Sequence, residues 1–221
     1  MSVNRPQYKS EARTLTLSLQ AAAKRIIDVL CSLAGIIFLL PVFMLVALLI
    51  KISDPKGTVF FKQKRIGHKG NTFSIIKFRS MLHDAEQRLR ADPVLYKKYI
   101  DNSYKLDPSE DPRVTKIGSF LRKTSLDELP QLINVLKGEM SLVGPRPIVR
   151  DELKEYGEKA VPFLSVKPGV TGYWQVSGRS DVGYPERVDL ELFYVYNQSV
   201  WLDLKILYRT VIIVLLRKGA Y

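Results

Sequence analysis

From Val29 to Ile50 the chain reads VLCSLAGIIFLLPVFMLVALLI, with no charged side chain, and this run constrains the fold more than any other stretch. As one helix it would be roughly 33 Å long, against a bilayer core of about 30 Å. A soluble helix buries one apolar stripe and turns a polar face to water, which this run lacks. Membrane insertion is therefore expected. Pro41 falls mid-run and, having no N–H, breaks or kinks a helix there. Arg5, Lys9, Arg13, Lys24 and Arg25 precede the run, and Lys51, Lys56, Lys62, Lys64 and Arg65 follow it. Positive charge marks the cytoplasmic flank of a membrane segment. Cations on both flanks favour a segment that enters, turns at Leu40-Pro41 and leaves by the same face, over a simple span. Asp28 is expected near the interface, paired with Lys24 or Arg25. Cys31 reads as inert packing, and as the chain's one cysteine it cannot form an internal disulfide.

Charge gives the second constraint. Lys and Arg number 34 against 22 Asp and Glu, for a net charge of +12. That excess calls for an anionic partner: nucleic acid, a lipid surface or a phosphorylated substrate. Residues 1–23 are polar and basic, and read as a surface arm ahead of the membrane segment at 24–52. After it, GTVFFKQKRIGHKGNTFSIIKFRSM reads as a β-hairpin turning at Gly67–Asn71. Period-two spacing puts Lys62 and Lys64 on one face of the first strand, and Lys77 and Arg79 on one face of the second. A cationic surface beside the membrane is expected, although lysines guarding an exposed strand explain the pattern as well. Residues 82–104 suggest two amphipathic helices divided at Pro93.

The chemistry-bearing stretch is TSLDELPQLINVLKGEMSLVGPRP, Thr124 to Pro147. Ser125 and Glu128 fit a capping box at a helix start, and Lys137-Gly138 fits its end. Asp127 and Glu128 in a first helical turn are ordinary complements of the helix dipole. With Arg122 and Lys123 just ahead and Arg146 between two prolines, the same spot also reads as an anion site. A charged helix (IVRDELKEYGEKAV) follows. The Gly-rich, aromatic segment PFLSVKPGVTGYWQVSGRSDVGY, carrying Lys167 and Arg179, suits ligand binding or irregular packing. Helices are expected from about Pro185 to Asn197 and from about Leu202. The last holds an apolar run too short to span and reads as interfacial. The fold expected is α+β: a Pro-broken membrane helix, a small hairpin and a helical domain over 53–221. No GxGxxG, P-loop or Asp-x-Asp motif is present, so phosphate handling falls to basic residues and to metal held by carboxylates.

Several motifs in this order resemble one family. Lys24-Arg25 precede the Pro-broken segment, and FKQKRIG, FSIIKFRSM, the Thr124–Pro147 stretch, KPGVTGYWQVSGR and WLDLKIL follow. From about residue 22 onward the chain is similar to bacterial sugar transferases, the monotopic polyprenyl-phosphate hexose-1-phosphate (phosphoglycosyl) transferases. Its length and ending resemble the short exopolysaccharide-initiating members that add galactose- or glucose-1-phosphate. The resemblance implies transfer of a sugar-1-phosphate from a UDP-sugar to undecaprenyl phosphate, with release of UMP and dependence on Mg²⁺. It implies Asp127 as nucleophile through a covalent phosphosugar intermediate, with Glu128 beside it and the metal held by this pair. It implies phosphate contacts from Arg146 and from the basic strand residues Lys77 and Arg79, to which Lys62 and Arg179 are added. The family's membrane-helix break maps onto Leu40 and Pro41. Where relatives often carry an Asp this chain has Glu191, with Asp189 two residues earlier, and the sequence leaves open which acts. A cytoplasmic-face membrane location, anionic lipid as partner, no nucleic acid and a possible homodimer complete the expectations. Three alternatives stand beside this reading: an N-acetylhexosamine donor, direct glycosyl transfer to lipid, and a non-catalytic basic membrane module.

Overall fold

The computed structural model describes residues 5–101, 106, 111–178 and 182–216, with side chains from residue 19 onward. Two helices open the chain, α1 (Arg5–Phe38) and α2 (Leu40–Ser53). They meet at 61°. The last bond of the first ladder runs from Leu39 N to Gly35 O, and the next helix resumes with Phe43 N to Leu39 O, both 2.9 Å. Pro41 lies in the first turn of α2, where its missing N–H cannot carry the ladder across. The bend at Leu39-Leu40-Pro41 thus has the expected cause. Among the described residues no single helix is long and apolar enough to cross a membrane, whereas this bent pair is, by length and composition.

The basic arm expected over 1–23 is, from Arg5 on, the beginning of α1 itself. Cys31 is exposed rather than packed inside. It shares the outer side of α1 with Leu30, Leu33, Ile37 and Phe38, and Leu40, Met44, Leu45 and Leu48 continue the exposed apolar surface along α2. Exposure of such residues from 46% to 84% is costly in water, and this surface needs an apolar cover.

A charged cluster docks α1 onto the rest of the molecule. Arg25 donates to the carbonyls of Val135 and Leu136 at 2.6 and 2.9 Å, at the C-terminal end of α6 (Gln131–Lys137), where a cation complements the dipole. Lys24 pairs with Asp203 at 2.6 Å and also donates to Val143 O. Asp28 is buried and accepts from Leu142 N at 2.9 Å. Asp28 therefore serves the backbone of a strand, instead of pairing with its helical neighbours Lys24 or Arg25 as expected.

The hairpin forms as read: β1 (Phe60–Ile66) pairs antiparallel with β2 (Thr72–Phe78). Register separates its cations. Lys77 lies opposite Phe61, while Lys62 lies opposite Ile76. Directly opposed residues share a face, so Lys62 and Lys64 point one way and Lys77 and Arg79 the other. The single cationic surface expected from sequence is two surfaces. A short parallel pair, β3 (Ser141–Val143) with β4 (Gly169–Thr171), forms a second sheet.

Helices fill the remainder. They are α3 (Ala85–Ala91), α4 (Pro93–Asp101), α5 (Lys116–Lys123), α7 (Ala160–Leu164), α8 (Tyr173–Ser177), α9 (Glu186–Tyr196) and α10 (Val200–Leu216). The charged segment after Ile148 is a 3-10 helix, Arg150–Lys159, broken at Gly157 with φ 48°. The main core packs Phe73 and Ile75 of β2 against Val135, Leu142, Tyr194 and Ile206. A second joins Val46 and Ile50 of α2 to Phe78 and Leu121, with the Phe43 and Phe78 rings edge to face at 5.2 Å. The helix that carries the outward apolar surface is thereby fixed to the strand that carries Lys77.

Candidate active site

Asp127 and Glu128 sit on a single 3-10 turn, Leu126–Glu128, between α5 and α6. The expected capping box is not formed. Ser125 has left-handed backbone, φ 56°, and its side chain does not cap the turn, whereas an N-cap needs extended backbone. Pro130 explains the geometry: it has no N–H with which to continue a helix begun at Leu126, so α6 starts only at Gln131. The predicted end of that helix is correct, with Gly138 closing it at φ 81°.

The carboxylates are held differently. Glu128 Oε1 accepts from Lys77 Nζ at 2.7 Å and lies 3.7 Å from Arg146 Nη1. Asp127 is only 9% exposed. Burial pushes its carboxyl up to about 6, and the charge of Glu128 adds to that, against the opposing pull of Lys77, Arg122 and Arg146. Arg122, at the end of α5, is itself steadied by Ser80 Oγ at 2.9 Å. One carboxylate is thus paired, and the other holds its proton more tightly than an exposed carboxyl because of its surroundings.

Asn134 sets the Lys77–Glu128 distance. Its Oδ1 accepts from Ile76 N at 3.0 Å, and its Nδ2 donates to Ser74 O at 2.8 Å and to Glu139 at 2.7 Å. A fully buried side chain of α6 thereby serves as the missing strand on the free edge of β2. It registers Lys77 against the turn that precedes its own helix.

Arg146 follows β3, in the Gly144–Pro147 segment. Gly144 has no room for a side chain: a Cβ there would stand 2.4 Å from Lys167 O. Beyond Arg146 lies a second charged layer. Arg187 stacks on Trp174 at 4.3 Å and on Tyr184 at 4.9 Å, and the Arg146 guanidinium lies 6.0 Å from the same indole. Arg187 Nε bonds Glu191 Oε1 at 3.0 Å, and Tyr156 donates to Glu191 Oε2 at 2.7 Å.

The sequence-predicted residues divide on this map. Asp127, Glu128, Lys77 and Arg146 come together. Arg79 does not join them: it is buried, 3.3 Å from the Asp54 carboxylate, and donates to Asp54 O at 2.6 Å. Lys62 lies on the other hairpin face, lining an open groove of about 500 Å³ with Lys64, Lys137 and Glu139. Arg179 lies outside the described residues. Asp189 is at the surface with Lys159 at 2.6 Å, whereas Glu191 is 1% exposed within the Arg187 layer. Burial raises the Glu191 carboxyl while Arg187 and Tyr156 oppose the rise. Glu191 is therefore the one of the two that belongs to the site's interior. Sequence reading singled out neither Arg187 nor Trp174. The i,i+4 spacing of Arg187 and Glu191 was the available signal.

Among the described residues no cluster of three or more His, Cys, Asp or Glu forms a metal cage. Mg²⁺ seldom uses one, since it keeps waters and takes one or two carboxylates plus substrate phosphates. The adjacent carboxylates of Asp127 and Glu128 fit that donor set. Bound there, the ion would supply neutralisation of phosphate charge.

A buried carboxyl raised to about 6 beside a paired carboxylate, with Lys77, Arg122 and Arg146 close by, is an arrangement suited to nucleophilic work on a phosphate. Residues 19–217 match the family model of the bacterial sugar transferases. The chain is 46% identical over 203 residues to the exopolysaccharide production protein ExoY of Sinorhizobium fredii, covering 90% of this chain and 88% of that one. It is 47% identical over 202 residues to the UDP-galactose-lipid carrier transferase of Erwinia amylovora. Identity is 45% over 202 residues to the undecaprenyl-phosphate galactose phosphotransferase of Salmonella typhimurium. Each of these two alignments covers 90% of this chain and 41% of the longer relative. The chain belongs to the bacterial sugar transferase family and is an enzyme of that family.

Proposed function

We propose that the protein transfers a hexose-1-phosphate, galactose or glucose, from a UDP-sugar to undecaprenyl phosphate at the cytoplasmic face of the membrane. The observation that carries this is the buried Asp127 beside Glu128, with Lys77, Arg122 and Arg146 facing the pair. The names of the relatives supply the donor and acceptor classes. Asp127 attacks the phosphorus that bears the sugar. The bond from that phosphorus to the bridging oxygen breaks, and its electron pair leaves with UMP. A phosphate oxygen of the lipid then attacks the same phosphorus, and the Asp127 carboxylate departs. The glycosidic bond is untouched, and the product is a lipid diphosphate sugar. Lys77 and Arg146 hold phosphate charge near Glu128, which with Asp127 would hold Mg²⁺, and the ion would neutralise phosphate charge. Glu128 as metal partner and Asp127 as nucleophile divide the roles according to their surroundings.

The test is release of UMP from a panel of UDP-sugars by purified membrane fractions supplied with undecaprenyl phosphate. Release from UDP-galactose or UDP-glucose is expected, and a panel that yields only N-acetylhexosamine transfer moves the assignment to that donor. Release of UDP with one phosphate on the lipid would replace the mechanism by direct glycosyl transfer.

The exposed apolar side of α1 and α2 supports a re-entrant anchor, both ends of which are cytoplasmic. With Cys31→Ser as background, a cysteine at Ser10 is expected to react with an impermeant maleimide in inverted vesicles and to be silent in intact spheroplasts. Labelling from the periplasmic side would make α1–α2 a span.

A further inference from the structure

Four hydrogen bonds converge on the Glu152 carboxylate. Its Oε1 accepts from Val149 N at 3.1 Å and from Arg65 Nη1 at 3.4 Å. Its Oε2 accepts from the Tyr184 hydroxyl at 3.0 Å and from Arg187 Nη1 at 3.2 Å. Each of the two guanidiniums it holds reaches a neighbour of Arg146. Arg65 also reaches Pro147 O at 3.5 Å, and the next residue, Ile66, bonds Ile148 O through its N–H at 2.9 Å. Arg65 therefore ties down the backbone just after Arg146. Arg187 fixes Trp174, the indole beside which the Arg146 side chain rests.

We infer that Glu152 is a positioning residue that aims Arg146 at the phosphate of the donor. It does so by immobilising Arg65 and Arg187, two cations that otherwise compete for the same carboxylates. The competition is visible in the charges. Burial disfavours the Arg65 cation, and the nearby Arg146 and Arg187 disfavour it further, with Glu152 and Glu128 opposing them. Burial alone would raise the Glu152 carboxyl, yet Val149 N–H, Arg187, Tyr184 and Arg65 hold it below the usual carboxylate range. Without that negative charge, Glu128 is the carboxylate left to attract Arg65, and Arg146 is displaced from it.

Position and simple charge predict opposite signs. Removing a carboxylate close to an anion site strengthens anion binding by through-space electrostatics. If Glu152 acts by aiming Arg146, its removal weakens binding instead. The inference rests on the phosphate-contacting role proposed above for Arg146, but it is read without any transfer step. Inorganic pyrophosphate is titrated calorimetrically, with Mg²⁺ present, into the full chain in detergent, for wild type, Glu152→Gln, Arg146→Ala and the double variant. Glu152→Gln is expected to weaken binding about tenfold, and the double variant to bind no more weakly than Arg146→Ala, since two residues acting as one unit do not add. Glu152→Asp keeps the charge and shortens the reach. It is expected to lose at least about threefold, again only while Arg146 is present. Tighter or unchanged binding in Glu152→Gln, additive losses in the double variant, or an unaltered Glu152→Asp would each overturn the inference. Coupled pyrophosphate binding in a chain that releases no UMP from any donor would instead count against the proposed reaction and leave Glu152 in place.

Discussion

Asparagine in place of Asp127 is expected to lower UMP release by roughly three orders of magnitude or more, because an amide cannot form the phosphosugar intermediate. Stability is expected to move the other way. The Asp127 carboxyl is raised from 3.8 to about 6 by burial and by Glu128. A group that holds its proton more tightly when folded favours the folded state less as pH rises from about 4 to 6. The rise corresponds to about 3 kcal/mol at neutral pH. In metal-free buffer the Asp127→Asn variant should therefore be more stable than wild type at pH 7.5, by up to that amount. The difference should vanish below about pH 3, where Asp127 is neutral in both states. Chemical denaturation at the two pH values measures it. Equal stability at pH 7.5 would mean that Asp127 is not held in a desolvated site. In wild type the transfer rate should climb between about pH 5 and 7, as the nucleophile loses its proton, and level off above. Retained UMP release in Asp127→Asn would return the chain to the class of basic membrane modules that bind without chemistry.

Alanine at Arg146 should cost about 10²- to 10³-fold in kcat/KM for the UDP-sugar, the range for removing one preorganised donor to developing phosphate charge. Lysine there should recover only part of it, since an ammonium lacks the planar fork and stacks poorly beside Trp174. The loss should come without unfolding, because the Arg146 side chain is one-third exposed and its close ionic contact, Glu128, keeps Lys77 at 2.7 Å. Steady-state kinetics beside a thermal melt separates the two. A large drop in Tm with kcat/KM intact would make Arg146 a structural residue.

The sequence-level reading succeeded where the cause is local. Pro41 bends a helix by lacking an N–H, whatever surrounds it. Gly138 ends α6 because left-handed backbone favours glycine. The hairpin follows from two β-rich runs and a turn between them. It failed where the cause lies across the chain. Ser125, Asp127 and Glu128 carry a capping-box pattern, but Pro130 and the packing of α5 turn that segment into an isolated 3-10 turn. Arg79 and Lys77 share one strand face, yet Asp54, arriving from the end of α2, takes Arg79 out of the site and leaves Lys77 in it. Asp28, which reads as a partner for Lys24 or Arg25, instead accepts from the backbone of β3.

The candidate site divides in the same way. The residue types, a carboxylate pair and an arginine between prolines, stand in one stretch of 24 residues, Thr124 to Pro147. Their surroundings do not. The burial that raises Asp127, the Lys77 contact set by Asn134, and the Arg65–Glu152–Arg187 brace join residues from four or more elements far apart in the chain. Spacing along a chain reports helix and strand faces over a few residues. Burial and long-range charge pairing depend on which faces meet, and no local pattern encodes that. The sequence alone determined an apolar segment bent at Pro41 and the carboxylates available for chemistry. The tertiary structure decided which of those carboxylates is desolvated and which cations remain beside it, because both depend on packing between α2, β2, α6 and α9.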